Sequence, residues 1–305
     1  MGFRVWDLDG RPFWGRLCFC FGGLVELAID HVTVCGSNLE RMRRAFAEVG
    51  LATEYGGRHG NGLTHMALVG FADGSYLELI APIDAADPMM AARATGMMSG
   101  WMPLMMGNAG AGAWAVRVKG IQGEVERLRG RGIEVRGPEV GGRTRPDGTK
   151  LEWETALVGT GAAGSVLPFL IEDRTERGLR VQASEGAGLR GFLGVAAVVI
   201  GVRELLAAST LFDRAFGLGE AALEEHAELG VRLASFSGTP LMLAEPLGAS
   251  WLSERLERFG ECPAGFVLAA SGEMKVARTS SWIGRRIGWL DERALGVRVG
   301  VVGEE

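Results

Sequence analysis

The sequence predicts an α+β protein made of repeated modules, each a strand, a helix and then further strands. Three observations predict it. Residues 28–82 run through apolar alternation, a cappable helix and more alternating runs, in that order. The order recurs over 111–173, and further copies begin at Gly194 and Gly265. Finally, the copies keep ordered spacings: Phe46 and Phe212 lie 166 residues apart, and Gly74 and Gly238 lie 164 apart.

In the first copy, Ile29, His31 and Thr33 alternate with Val32 and Val34 as on a strand. Asn38 is placed to cap a helix that runs through Val49 and ends at Gly50. Gly56-Gly-Arg-His-Gly-Asn-Gly62 is a loop, Thr64–Val69 a strand, Asp73-Gly74 a hairpin turn and Ser75–Ile80 the returning strand. In the second copy the elements are a strand at Ala113–Val118, a helix at Gln122–Arg131, a turn at Arg143–Gly148, and strands at Trp153–Val158 and Val166–Ile171. The third has a strand at Gly194–Ile200, a helix at Arg203–Ala215 and a return at Thr239–Leu243; the fourth spans Gly265–Val302. The polar stretch Asp173–Gly191 reads as a linker, which divides the chain into an irregular extension over 1–24 and two domains over 25–175 and 190–305.

A chain of 305 residues exceeds the roughly 100–200 of one domain, so two domains fit its length. A net charge of −5 leaves no basic footprint for nucleic acid. The arginines at Arg41–Arg44 and Arg127–Arg131 fall in helical segments and read as solvated faces. Cys18, Cys20, Cys35 and Cys262 form neither a metal knuckle nor a disulfide framework, which suits reduced thiols and a cytoplasmic location. Arg16 and Glu26 interrupt the apolar stretch Phe13–Leu27, so neither export nor a membrane span is expected. The Met-rich run Met97–Met106 is also too short for a span; it reads as a connector packed on the core or a lid over an apolar ligand. The Gly56–Gly62 loop lacks the Gly-Lys-Ser/Thr of a phosphate loop and leads into no helix.

Asp30-His31-Val32, Gly56-Gly-Arg-His59, Thr64-His65 and Tyr76-Leu-Glu-Leu79, followed by Arg143–Gly148 and Leu167–Glu172, resemble the glyoxalase-like branch of the vicinal oxygen chelate superfamily. Gly238–Leu247 with Trp251–Leu256 is similar to epimerase-type relatives in the same superfamily. The resemblance implies paired βαβββ modules curled into half-barrels, two in tandem, with a divalent metal (Zn, Mn, Fe or Ni) inside the cup. It places His31 and Glu78 as metal ligands, with Glu172 as a third, and Glu78 or Glu172 doubling as the base. Second-module ligands are expected near Ala113–Ala115, which supplies none.

His59 and His65 are candidates for a replacement ligand or a general base, His65 the better placed on its strand. Arg58, His59 and Arg143 are candidates to grip a substrate anion. Glu78 faces inward only if Leu77 and Leu79 pack outward, because side chains alternate along a strand. In the second domain Ala197 and Met242 stand where His31 and Glu78 would, Gly300 where an acid is expected, and Glu245 reads as solvent-facing. The functions implied are a metal-dependent isomerase, lyase or dioxygenase on a small oxygenated substrate, or a metal-free binding protein of the drug-resistance type. A homodimer is compatible with either.

Overall fold

The computed structural model describes residues 27–83, 87–94, 98–107, 110–145, 147–160, 166–272, 274–282 and 284–303. The expectations for residues 1–24, Cys18 and Cys20 among them, lie outside these. The first module is β1 (Ala28–Cys35), α1 (Leu39–Glu48), β2 (Glu54–Arg58), β3 (Thr64–Gly70) and β4 (Tyr76–Pro82). Helices α2 (Pro88–Ala94) and α3 (Met98–Met105) lead to the second: β5 (Gly110–Arg117), α4 (Ile121–Gly130), β6 (Val135–Thr144), β7 (Lys150–Val158) and β8 (Phe169–Asp173). Short α5 (Arg177–Arg180) and α6 (Glu185–Leu189) precede the third: β9 (Phe192–Gly201), α7 (Leu205–Phe216), β10 (Ala222–His226), β11 (Val231–Ser235) and β12 (Leu241–Pro246). Then follow α8 (Trp251–Phe259), β13 (Cys262–Ala270), β14 (Arg278–Trp282), β15 (Arg285–Trp289), α9 (Glu292–Leu295) and β16 (Arg298–Gly303).

The strands form two eight-stranded half-barrels with the same order, β2-β3-β4-β1-β5-β8-β7-β6 and β10-β11-β12-β9-β13-β16-β15-β14. In each, the opening strands of two modules pair antiparallel at the centre and each closing strand lies parallel to its own opening strand. This is the α+β architecture of tandem paired modules that the repeats predict. The fourth module departs from βαβββ: only residues 271–277 join β13 to β14, too short a stretch for the usual helix. Alternation was too weak to reveal the edge strands β6 and β10, which bury little on either face.

Local chemistry explains the helix ends. Asn38 Oδ1 accepts from Arg41 N at 2.8 Å and Gly50 takes a positive φ of 90° just beyond α1. Gly74, at φ 81°, turns the β3–β4 hairpin. One continuous apolar core fills the helix-covered faces of both sheets: Leu77, Leu79 and Trp114 of the first meet Phe212 and Phe216 of the second, with the Trp114 and Phe212 rings 6.4 Å apart. The junction is also bonded through backbone. Asp73 N donates to Leu193 O at 3.3 Å, Val195 N to Ser75 Oγ at 2.9 Å, and Arg127 Nη1 to Ala215 O at 2.8 Å.

The concave faces differ from this core and from each other. The first carries a smaller apolar cluster onto which α3 folds Trp101, Leu104 and Met105. The second is packed with Ala197, Val199, Trp282, Ile287 and Trp289. Met242 pairs with Val199 as Glu78 pairs with Thr33, so Ala197 and Met242 do occupy the places of His31 and Glu78. Glu245 is not left to solvent: its Oε1 accepts from Leu205 N at 3.0 Å, capping α7, and its Oε2 meets Arg232 at 3.2 Å. Cys35 and Cys262 are free and buried, and among the described residues no helix is long and apolar enough to cross a membrane.

Candidate functional site

The first half-barrel encloses a cavity of about 300 Å³. Period-two alternation decides what faces it. On β4, Tyr76, Glu78 and Ile80 line the cavity, while Leu77 and Leu79 are fully buried against the helices. On β1, His31 and Thr33 line it while Val32 and Val34 face the opposite core.

His31 and Glu78 are therefore brought together, with Nε2 3.6 Å from Oε2. His31 is 3% exposed and is braced on three sides. Its ring stacks on Tyr76 at 4.5 Å, meets Phe169 edge-on at 5.2 Å, and its Nδ1 lies 2.7 Å from Asp30 Oδ1. A carboxylate only accepts, so Nδ1 carries a hydrogen and Nε2 is the nitrogen that faces the cup. Adjacent strand residues ordinarily point to opposite faces; the register irregularity between Ile29 and His31 accompanies this pairing of neighbours.

Asp30 is wholly buried. Burial pushes its carboxyl up, but Arg180 and His31 overcome this and hold it far below the usual carboxylate range. Arg180 Nη1 and Nη2 reach Asp30 at 3.2 and 3.0 Å, Nη1 also donates to Tyr76 Oη at 2.8 Å, and Asp173 takes the remaining face. Burial raises the Tyr76 phenol well above its ordinary value, so it stays protonated.

His59 reaches the same centre from the β2–β3 loop. Its Nε2 lies 3.5 Å from Glu78 Oε1. The loop closes on itself: His59 N donates to Thr64 O at 3.0 Å, and Asn61 Oδ1 accepts from Leu63 N, Thr64 N and Thr64 Oγ1. With the Thr64 hydroxyl donating to Asn61 Oδ1 at 3.2 Å, His59 Nδ1 donates to Thr64 Oγ1 at 2.7 Å and Nε2 faces Glu78. Burial pushes the Glu78 carboxyl up, but His59, His31 and Arg143 outweigh this and keep it ionised below its ordinary value. Arg143 also lines the cup, its Nη1 donating to Gly56 O and its Nη2 to Arg180 O at 3.2 Å. Trp101, Trp153, Phe169 and Ile171 make an apolar wall.

Three other expected site residues are not in the cup. Glu172 shares its face of β8 with Leu170, in the helix-side core, and its two carboxylate oxygens accept from Gly120 N and Ile121 N at 2.7 and 2.8 Å. It caps α4, whose own cap residue is a glycine with no side chain to do so. His65 shares its face of β3 with Ala67 and Val69, away from Met66 and Leu68, and meets the Tyr55 ring at 6.0 Å. Arg58 is exposed and does not line the cavity. Conversely, Asp30 and Tyr76 stand in the motifs Asp30-His31-Val32 and Tyr76-Leu-Glu-Leu79 without an assigned role, and Arg180 lies in the stretch read as a linker.

The donor types test whether a divalent ion suits the cup. Ala113, Ala115 and Ile171 occupy the cup-facing positions of the second module, so that module provides no ligand. In the first module, two imidazole nitrogens, His31 Nε2 and His59 Nε2, face the two oxygens of one ionised carboxylate at 3.6 and 3.5 Å. Among the described residues no three His, Cys, Asp or Glu side chains are placed as a group that could hold an ion. His31, Glu78 and His59 stand open at 3.5–3.6 Å, but their chemistry fits a borderline divalent cation.

The family model for the glyoxalase-like domain matches residues 29–216, thus the first half-barrel together with β9 and α7. No curated protein matches the sequence. Among solved structures, a hypothetical protein from Staphylococcus aureus has a TM-score of 0.61 at 12% identity, over 91% of this chain and 99% of that one. Methylmalonyl-CoA epimerase from Mycobacterium tuberculosis has a TM-score of 0.34 at 18% identity, over 37% of this chain and 89% of that one. A Streptomyces coelicolor methylmalonyl-CoA epimerase in complex with 2-nitronate-propionyl-CoA has a TM-score of 0.32 at 18% identity, over 36% and 96%.

Proposed function

This chain belongs to the glyoxalase-like domain family, and on that premise we propose that it is a divalent-metal-dependent enzyme of isomerase, lyase or dioxygenase type, acting on a small oxygen-bearing substrate in the first cup. One observation carries the reading: Asp30 takes the His31 Nδ1 hydrogen, leaving Nε2 aimed at the ionised Glu78. A histidine whose second nitrogen is engaged by a carboxylate is the arrangement that orients a metal ligand. His31 and Glu78 would hold the ion. When bound, a divalent cation polarises adjacent substrate oxygens and stabilises the negative charge that develops on them.

The rest is done by the chain. Glu78 is the one carboxylate among the lining residues, so it is the group that takes a proton from a carbon next to those oxygens. Arg143, tethered by two backbone carbonyls, offers positive charge to an anionic substrate group. Trp153 and Phe169 exclude water and orient an apolar substrate body. The second half-barrel, with Ala197 and Met242 in the corresponding places, supports the first by packing.

A second reading, an ion-free binding cup, is favoured by the bare second-module positions Ala113, Ala115 and Ile171. One measurement separates the two. The protein is purified without chelators and its metal content determined beside His31→Ala and Glu78→Ala. Stoichiometric ion, lost in both variants, supports the enzyme; no ion in the parent supports the binder.

A further inference from the structure

We infer that His59 is the third ligand of the same ion, so that the centre is built from the first module alone while the second contributes only wall. The inference rests on the metal reading above and deepens it. Two protein ligands alone are fewer than the three that catalytic sites ordinarily provide, so a third donor must face His31 and Glu78.

The cup offers few candidates. Tyr76 Oη accepts from Arg180 Nη1 at 2.8 Å. Thr33 Oγ1 donates to Glu78 Oε2 at 3.4 Å. Cys35 is buried and does not line the cavity. Among the described lining residues, His59 puts a ring nitrogen opposite Glu78, 3.5 Å from the oxygen that His31 does not face.

Its loop is built for that purpose. Gly57 and Gly62 take φ of 103° and 69°, which lets the chain reverse within a few residues. Asn61 ties the returning segment, and Thr64 accepts the Nδ1 hydrogen. The two histidines thus follow one rule by different means: an oxygen fixes Nδ1–H, Asp30 for one and Thr64 for the other, and Nε2 is presented. The resulting set is two imidazoles and one carboxylate with the cavity side left open, suited to Fe, Mn, Ni, Co or Zn.

The test uses Co(II) as the probe on metal-stripped full-length protein, followed by its visible absorption bands and by calorimetry. The parent is expected to bind one Co(II) per chain. His59→Ala and His59→Gln are expected to weaken binding about 100-fold or more and to shift the bands. Thr64→Val is expected to weaken it about 10-fold with the bands retained, as for an outer partner of a ligand. His65→Ala, on the opposite face, leaves both unchanged. Thermal melts confirm that the variants fold. If His31→Ala and Glu78→Ala abolish binding while both His59 variants keep the parent's affinity and bands, His59 is no ligand and only this inference falls. A parent that takes up no Co(II) overturns it together with the metal reading.

Discussion

Arg180 sets two guanidinium nitrogens against the carboxylate of Asp30, at 3.2 and 3.0 Å, across 150 residues of chain and with both side chains at 5% exposure or less. The pair joins the segment after β8 to the start of β1 and stands directly behind His31. Removing one member of a buried ion pair leaves an uncompensated charge. Arg180→Ala is therefore expected to cost about 3 kcal/mol of stability, seen as a lower denaturation midpoint, and to weaken metal binding through His31. A variant as stable as the parent would show that Arg177, which also bonds Asp30, suffices alone.

Glu172 provides a test that separates structure from site. Its two helix-capping bonds predict that Glu172→Ala loses about 1 kcal/mol, the usual worth of a helix N-cap. Metal content stays at the parental level, because the carboxylate lies on the other face of β8. Loss of the ion without loss of stability would restore Glu172 as a ligand.

Gly194 marks the junction of the half-barrels. A Cβ there would stand 2.0 Å from Asp73 Oδ2, so Gly194→Ala must displace the Asp73 carboxylate. That carboxylate accepts from Ser75 N and Oγ at 2.7 and 2.6 Å, and these bonds would be strained or lost. A loss of about 1–3 kcal/mol is expected from such overpacking. Chemical denaturation of the two proteins side by side measures it, and equal stability contradicts the close approach.

Asp73 itself gives a pH signature. Burial raises its carboxyl above the ordinary 3.8, more than Ser75, Arg117 and Arg177 lower it. The folded state then holds the proton more tightly than the unfolded state. The contribution to stability is full below pH 3.8 and is lost as pH rises through the higher folded value. Asp73→Asn keeps an acceptor for Ser75 and removes the titration. Relative to this variant, the parent should lose stability as pH rises from about 3.8; parallel melting curves across that range would contradict the assignment.

How far the site could be read from the chain is clearest on β4. Tyr76-Leu-Glu-Leu79 alternates, and alternation alone requires Glu78 to face opposite to Leu77 and Leu79, which is what the sheet does. The same logic, applied to His65 and Glu172, depends on knowing which face is the cup. A run such as Leu167–Glu172 is apolar on both faces, because one packs on helices and the other lines a cavity, so its pattern leaves the choice open. Arg180 was hidden differently: a polar, glycine-containing stretch reads as a linker, and nothing local says that a buried aspartate 150 residues away will claim it.

What the sequence determined by itself was therefore periodic: the module order, its repetition, the helix cap at Asn38, the hairpin at Gly74 and the loss of polar residues from the second cup. These follow from backbone geometry and burial within a few neighbouring residues. What only the tertiary structure decided was convergence: which face of each strand is concave, that a local irregularity turns Asp30 onto His31, and that the β2–β3 loop delivers His59 to Glu78. Such relationships depend on the curl of an eight-stranded sheet, and the energies that set it are summed over strands distant in sequence.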